Sequence, residues 1–213
     1  MNFFKKLKIF KRDSSDRKYL DNLISKLPDS SLLAKDILSE LNNSKTKCII
    51  DKDIKASYYV YLNDTMYLCD KQSEKENYER LCVISHESVH SVQPKFLQNI
   101  NFILSNLEII AFVIFLILNF LKVERLYIYL GYLVVAIISM IPRLILEFDA
   151  MIKAPKLAKQ YLEKQKLKSE DINKIYDYYK FSTMVLMPVA VIGFFTYKII
   201  RIIIATILFK IYT

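Results

Sequence analysis

Apolar positions follow three different rhythms along the chain. Leu20, Leu23, Ile24 and Leu27 are spaced three and four apart, as are Leu32, Leu33, Ile37, Leu38 and Leu41, which predicts two amphipathic helices. Leu27-Pro28 stops the first, and Asp29-Ser30-Ser31 offers a cap for the second. The rhythm then changes. Residues 47–50 and 57–62 are rich in β-branched and aromatic side chains, and Asn63-Asp64 marks a turn before 65–69. This predicts a small sheet with a hairpin near Asn63. Helical spacing returns over 73–92, with Tyr78, Leu81, Cys82, Ser85 and Val89 as the stripe to be buried.

The third rhythm is continuous. Residues 102–121 are interrupted only by Ser105, Asn106, Glu108 and Asn119; 126–142 carry no charge, and Arg143 ends that run. Residues 181–197 are again uncharged, and 199–209 continue apolar past Arg201. A helix needs about 20 residues to cross a hydrocarbon core, with ~17 as the lower limit. The first two runs therefore predict a membrane hairpin around Lys122 to Arg125. The third predicts one further span, kinked at Pro188, with Lys198 and Arg201 snorkelling to an interface.

Composition sharpens this division. Hydrophobic residues make up 53% and charged residues 25% of the 213, so apolar membrane segments and a polar first hundred residues share one chain. Only two glycines are present, Gly131 and Gly193, both inside apolar runs, which excludes a glycine-rich phosphate loop. Cys48, Cys69 and Cys82 form no CxxC and are odd in number, which suits buried thiols in a reducing compartment. The net charge of +9 points to an anionic membrane surface. Eight lysines fall between Lys153 and Lys180, and five basic residues stand in MNFFKKLKIFKR, an arm able to lie on lipid. No RNP, zinc-finger or helix-turn-helix signature is present, so nucleic acid is not an expected partner. Short positive loops stay in the cytoplasm. The lysine-rich segment therefore predicts a multi-pass protein of the cell membrane with residues 1–100 and 147–180 on the cytoplasmic side. Tyr176, Tyr178 and Tyr179 are expected as an interfacial belt.

The chemistry is concentrated in one pentapeptide, His86-Glu87-Ser88-Val89-His90, which contains both histidines of the chain. Four apart on a helix, they share one face and can both reach one zinc ion at about 2.0–2.1 Å. Glu87 then stands where a general base would take a proton from the attacking water and pass it to the leaving amine. A third protein ligand is required, and no third histidine exists, so a carboxylate is expected, ahead of a cysteine. Glu163 lies in a lysine-rich stretch, and Glu124 falls at the hairpin tip. Glu108 and Glu147 both remain. Glu108 has suitable linear spacing and sits inside an apolar run, where an acid is a functional suspect. Glu147 is carried back toward His90 by the returning limb of a hairpin. Arg143, one turn earlier, offers it an ion pair. Asp149, two residues further on, points elsewhere and suits an orienting role. The strand at 65–69 could take up substrate backbone by strand addition.

The order HExxH, membrane hairpin, then Glu147-Phe148-Asp149-Ala150 and Ala154 resembles the YugP-like membrane zinc metallopeptidases, the neutral zinc metallopeptidase 2 family. His86 through Gln93 match its zinc helix, Ala34-Lys35-Asp36-Ile37-Leu38 its early helix, and Thr65 to Leu68 the strand before the zinc helix. The likeness covers roughly residues 31–200. The chain departs from the family at Val89, where glycine is usual, at Thr183-Met184, where Thr-Tyr is usual, and in lacking an N-terminal membrane helix. The resemblance implies zinc held by His86, His90 and Glu147, Glu87 as general base, and kinship with the membrane gluzincins that include the heat-shock and prenyl-protein proteases. The expected fold is α+β and mainly helical. It comprises a basic arm at 1–12 and a small gluzincin-like catalytic domain with a short sheet at 13–97. A transmembrane hairpin at 102–145, a third-ligand segment at 146–180 and a transmembrane or interfacial helix at 181–213 follow. The implied activity is zinc-dependent cleavage of polypeptides near the membrane, or zinc binding without catalysis in an adaptor of the same fold.

Overall fold

Asp29 starts the helix that organises the N-terminal half. Its side chain accepts the N–H groups of Ser31 and Leu32, both at 2.9 Å, and so satisfies two donors that the first helical turn leaves over. The helix ends in the left-handed conformation at Asn42 (φ 54°), and the N–H of Asn43 reaches back to the carbonyl of Leu38 at 2.9 Å. This is the Schellman closure that asparagine tolerates. In the computed structural model, which describes residues 14–69, 79–121, 125–165 and 167–212, this helix is α2 (Ser30–Glu40), preceded by α1 (Ser14–Ser25). The basic arm at 1–12 and the hairpin tip at 122–124 lie outside the described residues.

Three strands follow: β1 (Lys47–Asp51), β2 (Tyr58–Val60) and β3 (Thr65–Cys69). β1 runs parallel to β3, and β2 runs antiparallel to it through a single 3-10 turn at Tyr61–Asn63, closed by Asp64 at φ 49°. The order is β1-β3-β2. The expected hairpin is there, but β3 is the central strand, with both edges paired. That removes it as an acceptor for an added strand, because its ladder donors and acceptors are already used.

Four more helices complete the described chain: α3 (Arg80–Val92), α4 (Lys95–Phe120), α5 (Arg125–Lys164) and α6 (Ser169–Tyr212). The expected stripe of α3 is buried at Leu81, Ser85 and Val89 and half-buried at Cys82, while Tyr78 lies outside the described residues. The boundary expected at 145–146 does not exist as a break. Arg143 ends the uncharged run without ending the helix, because Leu146, Ala150, Ala154, Leu157 and Tyr161 carry the buried stripe onward at helical spacing. Likewise α6 is one helix through position 188.

The described chain divides into two compact units. One contains the elements up to Val92 together with Ala150–Ser182; its core joins Leu33, Ile37, Met66, Leu68, Leu81, Ile84 and Val89 to Leu157, Leu162, Ile175 and Tyr179. Val89 thus fills space in this core. Tyr179, expected in an interfacial belt, is a core residue. Its neighbour Tyr176 carries the ammonium of Lys159 over its ring at 5.0 Å. The guanidinium of buried Arg80 donates to the carbonyl of Ile24 at 3.0 Å and so caps the C-terminal end of α1.

The other unit contains Gln93–Asp149 and the chain from Thr183. Three helical stretches, Lys95–Phe120, Leu126–Lys164 and Val191–Ile211, are long and apolar enough to cross a membrane. Phe115, Tyr132, Ala136 and Ala205 pack at the centre of this unit, and Tyr129 stacks on Phe209 at 4.7 Å.

Candidate metal centre

Helical spacing places the two imidazoles of α3 on one face, and they converge. The Nε2 atoms of His86 and His90 lie 3.1 Å apart, with the rings at 85° to each other. Two nitrogens bound to one tetrahedral zinc at about 2.0–2.1 Å would stand about 3.3 Å apart, so this spacing fits a shared cation. Glu147 of α5 completes the group: its carboxylate and the two imidazoles each offer a ligand atom, all within 4.8 Å of one another. The histidines are half-buried and Glu147 is 1% exposed. His86, His90 and Glu147 can therefore hold a metal ion. Two nitrogens and one carboxylate oxygen form a donor set that suits zinc and leaves one of its four positions open.

A buried carboxylate is costly unless it is paired. Arg143, one helical turn before Glu147, lies 2.6 Å from its Oε1, so the expected ion pair and the expected ligand are the same residue. Gln93, just past the end of α3, donates through Nε2 to the carbonyl of Leu146 at 2.7 Å and to Asp149 Oδ2 at 3.0 Å. Asp149 is outside the ligand group, as helical geometry requires, and anchors this clamp.

Glu87 does not belong to the ligand group. Its Oε2 accepts the main-chain N–H of Tyr59 in β2 at 2.8 Å. The Tyr59 phenol is half-buried and bonded to Asp64; burial first, then that bond, raises its pKa above the ordinary tyrosine value. One turn before His86, burial pushes the Cys82 thiol up to about 12, and Cys82 is not part of the ligand group.

Glu108, the rival ligand, lies elsewhere. It is fully buried, accepts the hydroxyl of Tyr132 at 2.9 Å and is gripped by Arg201 through two nitrogens, Nε at 3.0 Å. Lys198 donates to the hydroxyl and carbonyl of Ser139, at 2.7 and 3.1 Å. The expected snorkelling of Lys198 and Arg201 is thus overturned, because an acid and a hydroxyl on neighbouring helices hold both cations. The signal was an acid at 108 and two cations at 198 and 201 in otherwise apolar runs, but sequence spacing alone did not pair them. The Gln93 clamp and the Tyr59 N–H were also missed. The latter is a main-chain group and has no residue signature.

Compared with protein-family models, with curated proteins and with solved structures, the chain gives no match.

Proposed function

We propose that this protein is an integral membrane zinc endopeptidase, related to the YugP-like metallopeptidases it resembles. The observation that carries the reading is the meeting of His86, His90 and Glu147 around one point, with Glu87 between the two histidines in sequence. Bound there, zinc would polarise the scissile carbonyl and acidify the attacking water. The chain's own residues supply the rest. His86 and His90, one turn apart on α3, fix the metal-facing side of the helix. Arg143 orients the Glu147 carboxylate. Glu87 takes the proton of the attacking water and returns it to the leaving amine. Three apolar helices favour a multi-pass protein, and the lysines between Lys153 and Lys180 favour a cytoplasmic site acting on unfolded or membrane-adjacent polypeptides.

The test is metal content together with casein cleavage for the detergent-purified wild type and Glu87→Gln. Both should carry zinc, and the variant should lose at least ~10²-fold in cleavage, the scale expected for a general base. A variant that still cleaves removes Glu87 from the reaction. A zinc-loaded wild type that cleaves nothing favours an adaptor or regulator of the same fold, and a metal-free wild type overturns the reading.

A further inference from the structure

Glu87 is tied into a closed ring of hydrogen bonds that begins and ends on its own helix. Its Oε2 accepts the Tyr59 N–H at 2.8 Å. Tyr59 stands opposite Met66 in the antiparallel register, and an N–H turned toward Glu87 is turned away from β3, onto the outer edge of the sheet. The other end of Tyr59 is also held: its hydroxyl donates to Asp64 Oδ1 at 2.8 Å. The same oxygen accepts the hydroxyl of Thr46 at 2.8 Å. Asn43 Nδ2 donates to Thr46 Oγ1 and to Ser91 Oγ, both at 2.9 Å. Ser91 lies one turn after Glu87 on α3 and donates to the carbonyl of Ser88 at 2.7 Å. The ring therefore leaves α3 at Ser91, crosses the α2–β1 connection, the turn before β3 and the ring of Tyr59, and returns to α3 at Glu87.

Each of these bonds alone stabilises only modestly, those to the Glu87 and Asp64 carboxylates more than the rest. Closure does more than their sum, because it fixes β2 relative to α3 at the point where the base meets the strand. Asp64 is the junction. It occupies the left-handed region at φ 49°, which aspartate and asparagine tolerate, and its carbonyl also anchors the start of β1 through the Lys47 N–H at 3.0 Å.

We propose that Tyr59 is a positioning residue for the base: the ring Tyr59–Asp64–Thr46–Asn43–Ser91 sets where the Tyr59 N–H stands, and that N–H holds the Glu87 carboxylate in the orientation that meets the water. This rests on the reading of Glu87 as general base. Misplacing a reacting group by a fraction of an ångström slows the chemical step more than it weakens binding, so the ring should act on kcat and leave KM alone.

The experiment compares wild type, Glu87→Gln, Tyr59→Phe, Asp64→Asn, Asp64→Ala and the double variant Tyr59→Phe/Asp64→Ala, each checked for zinc content and thermal midpoint. Tyr59→Phe should lower kcat by about 10-fold, with KM and zinc within about 2-fold of wild type. Asp64→Asn keeps an accepting oxygen and the left-handed turn, and should recover most of kcat; Asp64→Ala should not. The double variant should be no worse than the poorer single one, because both break one ring. A wild-type kcat in Tyr59→Phe, an effect on KM alone, or simple additivity overturns the proposal while Glu87→Gln still reports on the peptidase reading. If the wild type cleaves nothing, amide hydrogen exchange decides: a Tyr59 N–H protected in wild type and exchanging at least ~10-fold faster in Glu87→Ala upholds the ring, and an unprotected one overturns it.

Discussion

The two units bury different mixtures of residues. In the unit built on α1–α3 and the sheet, the buried set is led by apolar side chains such as Leu33, Ile37, Met66, Leu68, Leu81 and Ile84, joined by Arg80, Ser85 and Ser88. In the other unit, Glu108, Asn119, Ser139 and Glu147 are buried, while Ile103, Ile109, Ile110, Val113, Ile114 and Ile117 of α4 face outward. Both arrangements follow one rule, that a group is placed where its solvation cost is least. On the proposed membrane location the solvent differs: water rewards burying the leucines of the first unit, whereas hydrocarbon would give no reason to bury the isoleucines of the second. What hydrocarbon cannot solvate is Glu108, so the protein solvates it with Arg201 and Tyr132.

This contrast can be broken most sharply at its ion pair. Glu108→Leu leaves the Arg201 cation without its carboxylate and should destabilise the detergent-solubilised protein by about 3–5 kcal/mol. Glu108→Leu/Arg201→Leu should recover most of that loss. Equilibrium unfolding of both variants checks it; a double variant as unstable as the single one would mean that the pair is not what the acid is there for.

The next effect compares packing on the two sides of the contrast. Leu33→Ala opens a cavity in the first core and should cost about 2–5 kcal/mol. Ile110→Ala, on the outward face of α4, should stay within about 0.5 kcal/mol. Equal losses at the two sites would show that the outward face is covered by protein.

The smallest effect separates the two buried glutamates. Glu147→Gln should weaken zinc binding by ~10-fold or more, at least the scale seen when supporting groups of a metal site are removed. Glu108→Gln should keep zinc near the wild-type level, whatever it does to stability. Competitive chelator titration of the two purified variants measures both. A metal-free Glu108→Gln would reverse the assignment.

Much of this was legible in the sequence wherever a local rule acts. Asp29 as cap, the Pro28 stop, the turn at Asn63-Asp64 and the shared face of His86 and His90 depend on neighbours within a turn, and the structure places each as expected. Glu147 was legible through chain direction, because a hairpin must return, and through the resemblance at Glu147-Phe148-Asp149-Ala150. What stayed hidden was decided by distant partners. Nothing near Lys198 or Arg201 says that Ser139 and Glu108 await them, and nothing in Thr65–Cys69 says that β1 and β2 flank it on both sides. Helix α5 runs unbroken through the expected 145–146 boundary, while the division into compact units falls one turn later, between Asp149 and Ala150.

The pairing of Glu108 with Arg201 also has a consequence for synthesis. The two residues are 93 positions apart, so the acid leaves the ribosome long before its cation. At about 5–20 residues per second, the first hairpin spends on the order of five to twenty seconds in the membrane with a carboxyl group that lacks its counter-charge. During that interval Glu108 has only Tyr132, on the returning limb, to donate to it. The pair can close only after translation has passed Arg201, so the packing of this unit is completed last at its earliest acid.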